Sequence, residues 1–252
     1  MIEEYKKLET SRNVISGSML GIYTNNSSKF YQKVFGLIPD EVTTSTILGT
    51  IVHHCAKEYL TKGRVEESDI TEYIKKYAFD DRVDVAYILV RYKDMVNALF
   101  TYLDKFDKSK CLCEQNYLYD LSLNVILTGT CDLIYDNSTL IDFKTTSQMS
   151  IKQSIPQNYE VQLLAYIYLL KQNGIEIDTA KIVYISHPQM NRIGKTGNKL
   201  KDYPSQVYEV GLNITEEKKK WIQDNIEIIR DTLEFIEENK DKKYLFTSIK
   251  EK

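Results

Sequence analysis

The chain has 252 residues, 42% hydrophobic and 27% charged, with a formal net charge of −3 and an isoelectric point near 5.8. That size and mixture suit one globular domain spanning 1–252, and the mild acidity argues against holding nucleic acid by bulk charge alone. No apolar run approaches a membrane span and the segment Met1–Lys7 lacks a signal-peptide apolar region, so a cytoplasmic location with no membrane partner is expected.

The first forty residues read as helix and loop. From about Ser45 to Leu60 the residues Ile47, Leu48, Ile51, Val52, Cys55, Ala56 and Tyr59 recur at helical spacing, on a segment that carries His53 and His54. A longer amphipathic helix is expected over Val85–Phe106, where Ile88, Tyr92, Met95, Val96 and Leu99 belong to one apolar stripe. Strands follow at Cys111–Tyr119, Val125–Tyr135 and Thr139–Thr145, the last two joined by a turn at Asp136-Asn137-Ser138. Pro156 opens another helix that ends before Gly174.

Two further strands, Ile182–Ser186 and Gln206–Leu212, flank a loop beginning at His187. Thr215, with Glu216 and Glu217 in the first turn, starts a last helix to about Glu238. Its apolar stripe (Ile222, Ile226, Ile229, Leu233, Ile236) is expected to pack on the chain's own sheet rather than on a neighbour. The expected architecture is α/β, a mixed central β-sheet flanked by helices. It divides into a largely helical part (1–110) carrying His53, a catalytic sheet and helix (111–212), and a C-terminal helix (213–252).

Cysteines 55, 111, 113 and 131 match no disulfide framework or familiar zinc spacing, and are expected to be buried thiols. Between Lys181 and Lys201 the chain carries Lys181, Arg192, Lys195, Lys199 and Lys201 and no acid. That loop either follows a phosphate backbone or is simply solvated, and the sequence leaves both open.

The strongest chemical signal is Gly129-Thr-Cys-Asp132 followed by Ile141-Asp142-Phe143-Lys144. Side chains alternate along a strand, so Asp142 and Lys144 share a face and Phe143 turns away. Two carboxylates against one lysine leave a net negative charge that desolvation opposes, unless the group is merely a hairpin salt bridge. A hard divalent cation with oxygen ligands, Mg²⁺ or Mn²⁺, resolves the imbalance.

Around this pair, four blocks in order resemble the PD-(D/E)XK nuclease superfamily, and within it the RecB-like exonuclease branch, a restriction-endonuclease-like fold. They are Gly49-Thr-Ile-Val-His53, Gly129-Thr-Cys-Asp132, Ile141-Asp142-Phe143-Lys144 and Gln162-Leu-Leu-Ala-Tyr166. Ile15-Ser-Gly-Ser-Met-Leu20 adds a finer likeness to the nuclease domain of exodeoxyribonuclease VIII and its phage-borne relatives.

The resemblance implies that Asp132, Asp142, His53 and the Phe143 backbone carbonyl hold the metal, and that Lys144 positions or activates the attacking water. Gln162 and Tyr166, one helical turn apart, would contact DNA or brace the site, and Arg192, Lys195 and Lys199 would contact DNA. Glu114 stands where some relatives carry an extra acid, although a solvated strand end is the expected reading. Iron–sulfur members place three cysteines after the Gln-x-x-x-Tyr helix; here none follows Cys131, so no cluster is expected. No Walker P-loop is present.

The expectation is thus a metal-dependent exonuclease acting on linear DNA with free ends, in recombination or repair, with a homo-oligomer or a single-strand annealing protein as possible partners. An endonuclease, or a catalytically silent DNA-binding module, is the alternative.

Overall fold

The computed structural model describes residues 12–39, 41–148, 154–190, 193 and 199–239. Its organising element is the strand β3, Val125–Tyr135, whose apolar run is buried on both faces. Along one edge of β3 runs β2 (Cys111–Asp120), antiparallel from end to end. The other edge is shared. β1 (Asn13–Ser16) lies parallel to Val125–Thr128, and β4 (Thr139–Thr146) is antiparallel through Leu133, Ile134 and Tyr135. Beyond the Leu133–Ile141 pair the β3–β4 ladder stops, so the two strands part where Asp132 and Asp142 lie.

β5 (Thr179–Ser186) is parallel to β4 over its full length, and β6 (Val207–Gly211) is antiparallel to β5. The β5–β6 register continues past the sheet through isolated bridges at Gln189–Tyr203 and Ile193–Lys199, so the two strands belong to one long hairpin. The turn between β3 and β4 is where it was expected. Asp136 and Asn137 take φ values of 53° and 54°, a region that these two residue types tolerate better than most.

Helices cover both faces. On one side α3 (Thr44–Lys62), α4 (Glu67–Lys75) and α5 (Val85–Leu103) pack with Leu133, Ile141, Phe143, Val183 and Ile185. On the other, α6 (Gln157–Gln172) packs on Leu140, Ile182 and Cys131. α1 (Gly17–Tyr23), α2 (Ser27–Val34) and α7 (Glu216–Glu238) complete that layer over Ile15, Val125 and Leu127. The isoleucine stripe of α7 is buried in this layer, against its own chain, as expected. All four cysteines are free thiols, and Cys55, Cys113 and Cys131 are buried.

Three elements depart from the sequence reading. Asn13–Ser16 is a strand rather than helix or loop, α4 was not expected, and α5 ends at Leu103 instead of running to Phe106. No helix among the described residues is long and apolar enough to cross a membrane.

Candidate active site

Helix α3 begins with a reciprocal cap: Thr46 N–H donates to Thr43 Oγ1, and Thr43 N–H donates to Thr46 Oγ1. Ile47, Leu48, Ile51, Val52 and Cys55 bury one side of this helix and hold it against the sheet. That packing aims His53 at the opening between β3 and β4. His53 Nδ1 lies 3.1 Å from Asp132 Oδ1 and 3.3 Å from Glu114 Oε1, and Nε2 lies 3.1 Å from the Phe143 carbonyl oxygen. Asp132 is fixed from the other side, since its Oδ2 accepts the Phe143 N–H at 2.7 Å. A carboxylate thus takes over a backbone partner at the point where the ladder has ended.

Glu114 was expected to be a solvated strand end, and the structure corrects this. Its carboxylate, His53 and Asp132 offer ligand atoms that all lie within 4.8 Å of one another. The cause is a local break in alternation. Glu114 takes φ 51°, in the left-handed region, and drops out of the ladder between the Cys113–Leu133 and Gln115–Cys131 pairs. Cys113 already packs in the layer of α3 and α5, so strict alternation would turn Glu114 to the opposite face. The positive φ re-aims it toward His53. A non-glycine residue in that conformation is strained, and such residues cluster at functional sites.

Asp142 and Lys144 do emerge on one face, with Nζ 2.7 Å from Asp142 Oδ2. The ammonium is thus the partner of the buried Oδ2, a charge-assisted contact that pairs the two groups directly. The other oxygen, Oδ1, accepts from Gln162 Nε2 at 3.1 Å, and the same amide donates to Tyr166 Oη at 3.0 Å. Tyr166 can lie flat here only because two glycines make room. A Cβ on Gly17 would sit 2.5 Å from its ring, and one on Gly129 2.7 Å. The Gly-x-x-Asp and Gln-x-x-x-Tyr blocks are therefore one mechanical unit: Gly129 seats Tyr166, Tyr166 seats Gln162, and Gln162 orients Asp142. Lys144 is flanked by Tyr159, whose ring centroid is 5.2 Å from Nζ.

Burial opposes charge on every member of the group, and the neighbours decide the outcome. Burial would lower the His53 pKa, but the Asp132 charge and hydrogen bonds to Asp132 and Glu114 raise it to about 10. Burial would raise Asp132, but the His53 charge and hydrogen bond, Lys144 and the Phe143 N–H hold it below the ordinary range. Asp142 goes the other way: burial lifts it to about 6 in spite of Lys144. Lys144 is held up by Asp142 and Asp132 against its own desolvation, so it stays an ammonium.

The donor set fits a hard divalent cation. As an imidazolium, His53 places positive charge among two carboxylates and a carbonyl oxygen, standing where such an ion would be neutralised by the same oxygens. Asp142 Oδ2, which faces the Lys144 ammonium, is a further carboxylate oxygen beside the group.

The structure thus brings together His53, Asp132, Asp142, Lys144, the Phe143 carbonyl, Gln162 and Tyr166. Arg192 and Lys195 lie outside the described residues. Lys199 is exposed and bridges Ile193 near the end of the β5–β6 hairpin. Among the described residues, no hydrogen bond or ion pair joins Lys199 to the acidic cluster.

A protein described as a candidate exonuclease from Eubacterium rectale has a similar structure, with a TM-score of 0.57 at 12% identity, covering 95% of this chain and 86% of that one. An alkaline exonuclease from Laribacter hongkongensis is a more distant match, with a TM-score of 0.36 at 7% identity over 79% of this chain and 99% of that one. No curated protein sequence matches the chain. The sequence model of one family matches residues 15–246, which include every block that converges on the acidic cluster, and the chain belongs to that family, the PD-(D/E)XK nuclease superfamily.

Proposed function

We propose that the protein is a metal-dependent deoxyribonuclease, one nuclease domain that hydrolyses phosphodiester bonds from the ends of linear DNA. The observation that carries the reading is the parting of β3 and β4, which sets His53, Asp132, Glu114 and the Phe143 carbonyl beside the Asp142–Lys144 pair. PD-(D/E)XK nucleases use divalent metal ions, and His53, Asp132, Asp142, Glu114 and the Phe143 carbonyl would hold Mg²⁺ or Mn²⁺ here. When bound, such an ion polarises a phosphoryl oxygen and lowers the pKa of water.

The chain's own groups supply the rest. The Lys144 ammonium is a donor, not a base, and it can orient the attacking water or meet charge developing on the phosphate. Asp132 is held by the Phe143 N–H and Asp142 by the Gln162 amide, so neither carboxylate must reorganise as charge builds. The water oxygen adds to phosphorus, the bond to the 3′ oxygen breaks, and a proton ends on that oxygen, leaving a 5′-phosphate. His53 must release a proton to ligate, so binding of the ion should release protons.

The exonuclease reading, a role in recombination or repair, a phage origin, and a ring-forming or annealing-protein partner all rest on the motif resemblance, and a cytoplasmic location on the want of any long apolar run in the sequence. The β5–β6 hairpin with Lys199 would reach duplex flanking the scissile bond. The test is digestion of end-labelled linear duplex, single strand and closed circular DNA with Mg²⁺. Loss of linear DNA with the circle intact is expected; nicking of the circle would identify an endonuclease, and binding without degradation a silent module.

A further inference from the structure

Helix α3 contains a glycine that the fold does not explain. A Cβ at Gly49 would meet nothing within 4 Å, and a glycine inside a helix is destabilising relative to alanine. Gly49 stands one turn before His53. At 3.6 residues per turn, Thr46, Gly49 and Thr50 flank His53 on one side of the helix, so the bare surface at Gly49 adjoins the acidic cluster.

The same side of α3 leads toward its N-terminus into a cavity of about 850 Å³. Thr46 and Thr50 line it from α3, Lys29 from α2, and Tyr73 and Tyr77 from α4 and the residues just after it. The two tyrosine rings meet edge to face, 5.5 Å apart. Among the described residues, Lys29 and Lys33 line the cavity with one carboxylate, Glu41.

The geometry points to a single-strand subsite: the cavity between α2, α3 and α4 holds nucleotides of the substrate strand, led across the helix surface at Gly49 from the scissile phosphate. The inference rests on the nuclease reading above and names where its substrate lies. Thr46 precedes His53 by seven residues, about 10 Å of helix, a span that a short stretch of one strand can cover. Lysine meets phosphate, and aromatic rings offer a stacking surface that any base can use. The volume lies within the ~300–1,000 Å³ of ordinary ligand pockets, enough to take nucleotides of one strand. A missing side chain at Gly49 lets the sugar–phosphate chain approach the helix closely, as glycines do where backbone meets ligand.

The test uses the full chain in EDTA and a short fluorescein-labelled oligothymidylate, read by anisotropy, with DNA degradation in Mg²⁺ measured in parallel. Gly49→Ala should raise Tm by roughly 2–4 °C, showing that the fold does not require the glycine. Gly49→Leu should fold as well and bind the oligonucleotide about tenfold more weakly, with a matching rise in KM for DNA. Lys29→Glu should weaken binding similarly and reduce the salt dependence by about one phosphate contact. A folded Gly49→Leu protein that binds and degrades DNA like the wild type overturns the subsite while leaving the nuclease reading intact. If wild-type protein binds, the variants lose binding, and none degrades DNA, the subsite stands and the catalytic reading fails.

Discussion

Replacing Asp142 with asparagine tests whether this carboxylate is a ligand held under electrostatic stress. It is buried, its two oxygens face Gln162 and Lys144, and burial lifts its pKa from 3.8 to about 6 despite Lys144 at 2.7 Å. Below pH 3.8 the folded and unfolded chains both carry the proton. Between 3.8 and about 6 the folded chain keeps a proton that the unfolded chain has released, so stability falls as pH rises, and the loss is complete above about 6. Roughly two units at ~1.36 kcal/mol each make the cost about 3 kcal/mol at pH 8. The Asp142→Asn change removes the charge and keeps an acceptor for Gln162. Lys144 loses its nearest partner, which offsets part of the gain, although Asp132 still faces it.

At about 2–4 °C per kcal/mol for a chain of this size, the EDTA-treated variant should melt roughly 3–8 °C above wild type at pH 8 and level with it near pH 4. Mn²⁺ should then stabilise the wild type and not the variant, by calorimetry in the same buffers. A variant that melts below wild type at pH 8 in EDTA would refute the reasoning. It would mean that Asp142 is the stabilising half of a closed ion pair, whose broken partner is left buried and uncompensated.

Glu114→Gln should leave the fold intact and weaken Mn²⁺ binding by about 10–100-fold in calorimetric titration; unchanged affinity would return Glu114 to a structural role. Gly129→Ala places a Cβ 2.7 Å from the Tyr166 ring, and overpacking of this kind costs about 1–3 kcal/mol. Thermal melts should show the loss, and a variant as stable as wild type would sever the link between Gly129 and Tyr166. The raised His53 pKa contributes stability that is complete below 6.5 and is lost as pH rises through about 10. EDTA-treated wild type should therefore lose more Tm between pH 7 and pH 10 than His53→Gln does, and parallel curves for the two proteins would contradict it.

What could be read from sequence was what short-range pattern controls. The β3–β4 hairpin was legible because its apolar run and its Asp136-Asn137 turn are local signals, and α7 because Thr215 caps a clean isoleucine stripe. β1 was not legible: four residues become a strand only by pairing with Val125–Thr128, more than a hundred positions away. α4 lacks a side-chain N-cap and spans nine residues, so neither its start nor its period announces it.

Within the site, Asp142 and Lys144 followed from alternation, and Gln162 with Tyr166 from the motif resemblance, their spacing of one helical turn setting them on one face. Glu114 escaped for the reason that makes it useful, since its left-handed backbone breaks the alternation on which strand readings depend. The seating of Tyr166 against Gly17 and Gly129 was equally hidden, because it joins three segments through contacts that no spacing rule encodes.

The central claim, that the opening between β3 and β4 cleaves phosphodiesters with a divalent ion, meets its most direct test in end-labelled linear duplex incubated with wild type, Asp132→Asn and Lys144→Ala. Wild type should degrade the DNA with Mg²⁺ and stop in EDTA, while each variant, folded by circular dichroism, should lose about 10²–10⁴-fold in rate. Cleavage that persists in EDTA, or at the wild-type rate in both variants, would contradict the assignment.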